Sequence, residues 1–121
     1  MNDMKPGKIL IVDDIPANLK ILSDLLEPEG YHILVAPDGE VALKVAARMQ
    51  PDLILLDVMM PGLDGFETCR RLKADAAMAD IPIIFVTAKG ETESVVKGFC
   101  LGGVDYITKP FEREEVRVRI E

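Results

Sequence analysis

Glycine is missing where a nucleotide-binding loop would need it. The segment after the first apolar run reads DDIPANL, and without glycine the backbone cannot approach a pyrophosphate closely there. Histidine occurs once, at position 32, and cysteine twice, at 69 and 100. The two cysteines fall in helix-like segments at a spacing that fits no metal site. They read as reduced, half-buried packing residues rather than a disulfide or redox pair. His32 lies in a weak strand candidate and reads as an edge-strand side chain, so neither residue type is placed to act as a base. No apolar run reaches the length of a membrane span, and the N-terminal MNDMKPGK lacks a signal peptide's apolar region. The expected location is cytoplasmic, with no membrane partner. A basic cluster is also lacking: 14 Lys and Arg face 21 Asp and Glu, for a net charge of -7, which argues against direct nucleic-acid contact.

What is present is apolar and ordered. Hydrophobic residues make up 49% of 121 positions, enough to offset chain entropy in one domain with a real core and too short for two. KILIVDD, PDLILLD and IPIIFVT are continuous apolar runs of strand length, the mark of central strands covered on both faces. YHILVA and the more polar VDYITK are the natural edge strands. Between them lie helix-length segments. The first carries Leu19, Leu22, Leu25 and Leu26 and closes at Pro28 and Gly30. In the second, Asp38 caps a stripe of Val41, Val45 and Met49. The third opens after Asp64-Gly65 and carries Phe66, Cys69 and Leu72. The fourth places Thr92, Val95, Val96, Phe99 and Cys100 on one face and is weakened by Gly98, Gly102 and Gly103. The fifth, EREEVRVRIE, runs to the last residue. Strand and helix alternate five times, which predicts a parallel sheet with helices on both faces and right-handed crossovers.

In such sheets functional groups collect beyond the carboxyl ends of the strands. Strand one delivers Asp13 and Asp14 there, strand three Asp57, strand four Thr87 and strand five Lys109. Carboxylates gathered so closely repel: at about 4 Å and an effective dielectric near 20, each pair costs roughly 4 kcal/mol. A hard divalent cation relieves this, and few protein oxygens suit magnesium, which keeps several waters. With an ammonium and a hydroxyl added, the set forms a receptor for a tetrahedral oxyanion beside a carboxylate, as an aspartyl-phosphate intermediate requires.

Four pieces in order, ILIVDD, LILLDVMMPGLDG, IIFVTA and GGVDYITKPF, resemble the receiver domain of two-component response regulators, and the likeness covers essentially the whole chain. The resemblance implies a doubly wound, flavodoxin-like α/β fold with strand order 2-1-3-4-5 and five helices. It implies that Asp57 is the phosphoacceptor and that Asp13 and Asp14 hold Mg2+, one directly and one largely through water. Met59 matches the position whose backbone carbonyl is a further metal ligand. Thr87 and Lys109 match the residues that engage the phosphoryl oxygens, and Tyr106 the aromatic that follows Thr87 on activation. The implied partners are a histidine kinase or phosphotransfer protein and an effector domain. For Asp105, Glu115 and Arg119 two readings stay open: a solvated helix face, or a homodimer contact through the fourth helix, fifth strand and fifth helix. Residues 1–7 read as a short tail and 8–121 as the receiver domain. The last helix is cut short relative to the family, so the chain is expected to be the N-terminal part of a longer protein.

Three alternatives compete with this reading. A haloacid dehalogenase-like phosphatase wants two aspartates one residue apart at the end of strand one, whereas Asp13 and Asp14 are adjacent. For either aspartate the bland role is a helix cap. A pseudo-receiver that binds a partner without phosphorylation would be expected to lack Asp57, Thr87 or Lys109, and all three are present.

Overall fold

The apolar runs pair as their two-sided hydrophobicity demands. The computed structural model describes residues 7–58, 60–88 and 105–109, with the backbone alone at 87–88 and 105–109. Its strands are β1 (Lys8–Val12), β2 (His32–Ala36), β3 (Leu53–Asp57), β4 (Ile83–Ala88) and β5 (Asp105–Lys109). All pair in parallel, in the order β2-β1-β3-β4-β5. The two weaker runs are the edges, as expected, and His32 on β2 is exposed.

Successive side chains on a strand point to opposite faces, and the buried residues sort accordingly into two cores. Ile9, Ile11, Leu55, Ile84 and Val86 pack with Leu22 and Leu26 of α1 (Pro16–Leu26). Leu10, Val12, Ile54, Leu56, Ile83 and Phe85 pack with Ala42 and Ala46 of α2 (Gly39–Met49) and with Cys69 and Leu72 of α3 (Gly65–Ala74). Helices therefore cover both faces, the doubly wound arrangement.

The helix starts follow local chemistry. The Asp38 carboxylate accepts the Val41 N–H at 2.8 Å, and the Asp64 carboxylate accepts the Glu67 N–H at 2.8 Å. Each satisfies a donor that the first helical turn leaves open. Helix α1 starts differently, with Pro16 at its first position and Ile15 as the preceding residue, whose side chain makes no cap. Its α-helical part stops at Leu26, and Pro28 falls in a short 3-10 turn, Glu27–Glu29, before Gly30.

Two details differ from the expected stripes. On α2 the deepest residues are Ala42 and Ala46, while Val41, Val45 and Met49 are only half-buried. The small alanines let the helix axis approach the sheet, and the larger side chains spread to either side of that line. On α3 the buried line includes Thr68, whose hydroxyl donates to the Asp64 carbonyl at 2.7 Å. Cys69 is fully buried rather than half-buried, and burial pushes its thiol upward, with Lys73 pulling partly the other way. The expected fourth and fifth helices, Cys100, Glu115, Arg119 and residues 1–6 of the tail lie outside the described residues. Among the described residues no helix is long and apolar enough to cross a membrane.

Candidate functional site

The register brings the strand ends level. Val12 pairs with Leu56 and Asp57 with Val86, so the residues following β1 stand beside Asp57 at the carboxyl edge of the two central strands. Asp13 and Asp57 are only 1% and 2% exposed, and Asp14 is half-buried. One oxygen from each of the three carboxylates lies within 4.8 Å of the others. The backbone fixes this arrangement from several sides. The Asp13 N–H donates to the Ala36 carbonyl at 3.2 Å, and the Val58 N–H donates to the Val86 carbonyl at 3.1 Å.

The capping alternative for the acidic pair finds a limited answer. One Asp13 oxygen accepts the Ile15 N–H at 2.9 Å, a local turn that precedes α1 rather than a cap on its first turn. That bond orients the carboxylate. The sequence gives no sign of this tether, which depends on the path of the chain through Asp14.

Three carboxylates at this separation concentrate negative charge in a largely buried space. The donor set is all oxygen, hard and anionic, which fits a small divalent cation such as Mg2+ that retains part of its hydration. Asp13, Asp14 and Asp57 are the residues that would hold it. Met59, expected to contribute its carbonyl, lies outside the described residues.

The remaining expected site residues are positioned by backbone register alone. Thr87 pairs with Thr108, Ala88 with Lys109 and Phe85 with Tyr106. Since Asp57 pairs with Val86, Thr87 stands one position beyond Asp57 on the adjacent strand. Lys109 is one position further out on β5. The side chains of Thr87, Tyr106 and Lys109 lie outside the described residues.

A parallel α/β sheet with an acidic cluster at its carboxyl edge defines the class, and comparison with known proteins gives the family. The profile of the response regulator receiver domain matches residues 9–121. The chain is 45% identical over 113 residues to the DNA-binding dual master transcriptional regulator RpaA of Synechocystis, covering 93% of this chain and 47% of that protein. It is 47% identical over 114 residues to the alkaline phosphatase synthesis transcriptional regulatory protein PhoP of Bacillus subtilis, covering 94% and 47%. Thus the chain spans about half the length of these relatives. A putative response regulator from Chloroflexus aurantiacus superposes with a TM-score of 0.92 at 36% identity, covering 96% of this chain and 95% of that one. The receiver domain of the Pseudomonas aeruginosa sensor histidine kinase PA1611 superposes at 0.87 with 32% identity, covering 95% and 94%. Its crystal structure has a magnesium ion coordinated in the active site cleft. The chain belongs to the response regulator receiver domain family, the signalling domain of two-component systems.

Proposed function

We propose that this domain accepts a phosphoryl group on Asp57 from the phosphohistidine of a kinase or phosphotransfer protein, and that Asp13 and Asp14 with Asp57 hold Mg2+ for the transfer. The observation that carries this reading is the convergence of three carboxylates from two central strands within 4.8 Å. Few folding advantages would place so much like charge in a buried space.

The chemistry is a displacement at phosphorus. A carboxylate oxygen of Asp57 forms the new P–O bond while the P–N bond to imidazole breaks, and the leaving imidazole takes up a proton. No general base is required, because the nucleophile is already ionised. A bound Mg2+ would supply charge neutralisation on the phosphoryl oxygens. Strand β3 holds Asp57 at a fixed height, and Asp13 is held level with it by the sheet. The turn bond from Ile15 orients the Asp13 carboxylate. Thr87 and Lys109, at the ends of β4 and β5, are assigned to the phosphoryl oxygens as hydroxyl donor and ammonium. Hydrolysis returns the carboxylate when water attacks phosphorus and the P–O bond to Asp57 breaks.

Phosphorylation then acts as a switch. The added charge recruits Thr87 and Lys109, Tyr106 repositions, and the surface of the fourth helix, fifth strand and fifth helix shifts between two populations. That surface regulates an effector, and a homodimer through it is one form the output takes. The DNA-binding and transcriptional relatives support an effector attached beyond this domain in a longer protein. Incubation with acetyl phosphate and Mg2+ tests the reading. One phosphoryl group should add to the intact mass, and both chelation and Asp57→Asn should abolish the gain. A gain undiminished in Asp57→Asn would contradict it, and a pseudo-receiver would show no gain at all.

A further inference from the structure

Asp64-Gly65 reads in sequence as turn and cap chemistry, yet Gly65 is not a turn glycine. The described glycines with positive φ are Gly30 and Gly62, at 99° and 73°, whereas Gly65 is the first residue of α3. What singles it out is space. A Cβ at Gly65 would run into the Asp57 carbonyl oxygen and would lie 2.8 Å from the Val58 Cα and 3.0 Å from the Asp57 carbonyl carbon. The Gly65 N–H also donates to the Val58 carbonyl at 3.0 Å, and Gly65 is buried. Helix α3 therefore starts in direct backbone contact with the residue that carries the candidate phosphoacceptor.

We infer that Gly65 is a positioning residue for the acidic site: its missing side chain lets α3 seat against the Asp57–Val58 backbone and so sets the height of the Asp57 carboxylate relative to Asp13. The inference rests on the reading of Asp57 given above. A side chain at 65 must push the end of β3 or lift the start of α3, since backbone on both sides cannot rotate away. The three-carboxylate geometry would then loosen even though no carboxylate has been altered. Gly39 supplies a matched contrast. A Cβ there would meet the Thr68 hydroxyl and lie 2.8 Å from the Leu63 carbonyl oxygen, which disturbs helix packing away from Asp57.

The test compares Gly65→Ala with Gly39→Ala in the full 121-residue chain. Stability is read by denaturation, Mg2+ binding by calorimetry, and backbone amide spectra are recorded without metal. Gly65→Ala should weaken Mg2+ binding about tenfold or more, the range seen when residues supporting metal ligands are changed, and should displace the Asp57 and Val58 amide signals. Gly39→Ala should lose comparable stability with Mg2+ binding changed by less than about twofold. Equal weakening in both variants, or undisturbed binding in Gly65→Ala, would overturn the inference. A wild-type chain that takes up no Mg2+ would contradict the acidic-site reading instead. The inference is then decided by the metal-free amide signals, which are displaced if it holds and unchanged if it fails. Should Gly65→Ala not fold, hydrogen exchange of the wild-type Gly65 amide decides: slow exchange like that of β3 supports the seating, and loop-like exchange overturns it.

Discussion

Asp57 combines near-complete burial with two carboxylate neighbours inside 4.8 Å, so with no cation bound those neighbours repel its charge. Replacing it with Asn keeps the shape and removes one of the three charges. Denaturation of the metal-free protein should show Asp57→Asn more stable than wild type, on the order of 1–3 kcal/mol. Mg2+ should reverse the order: at a hundredfold excess over its dissociation constant it should stabilise wild type by about 2.7 kcal/mol, and the variant much less. Cys69 illustrates the opposite kind of burial. It is fully buried on α3, and burial holds its thiol above the ordinary value. Alkylating reagents should modify it only at the rate of local or global opening, so native and denatured samples should differ widely in labelling at this position. Labelling of Cys69 at full speed in the native protein would contradict the packing.

At the level of the element, the helix starts carry distinct energies. Asp38→Ala and Asp64→Ala each remove a carboxylate that accepts a first-turn N–H at 2.8 Å, and each should cost about 1 kcal/mol in chemical denaturation. The outer face of α3 bears Glu67, which accepts from Arg70 and from Arg71, the latter at 3.1 Å. The Arg70 hydrogen bond first, then Arg71, lowers its carboxyl from 4.5 to about 2. A carboxyl depressed on folding stabilises above its unfolded value and loses that contribution as pH falls through the folded one. Wild type and Glu67→Gln should therefore differ slightly above about pH 4.5 and converge near pH 2. Added salt should shrink the difference, because the cluster is exposed.

The strands were legible in the sequence because two-sided burial leaves an unmistakable mark. Four of the five observed strands lie within their runs, and β4 extends one residue past IPIIFVT, to Ala88. Asp38 and Asp64 were legible as caps because capping is local. The deep line on α2 was not, since larger valines dominate a periodicity count while Ala42 and Ala46 sit closest to the sheet. Gly65 was hidden for a related reason: a close approach between α3 and β3 is a tertiary fact that Asp-Gly shares with any turn.

Across the whole molecule, the two cores make the carboxyl edge of the sheet rigid enough to hold like charges together. Leu55 is fully buried in the core beneath α1, two residues before Asp57. Leu55→Ala should cost about 2–5 kcal/mol in unfolding free energy. The acidic cluster itself was legible, because strand alternation predicted which residues share an edge and charge chemistry then singled out Asp13, Asp14 and Asp57. The central claim is that the phosphoryl group resides on Asp57 and on neither of its two carboxylate neighbours. Borohydride reduces an acyl phosphate to an alcohol, so reduction after phosphorylation with acetyl phosphate and Mg2+, followed by peptide mass spectrometry, marks the acceptor directly. Homoserine at position 57, with Asp13 and Asp14 unchanged, is the predicted result, and homoserine at any other aspartate, or at none in a phosphorylated sample, would contradict the account.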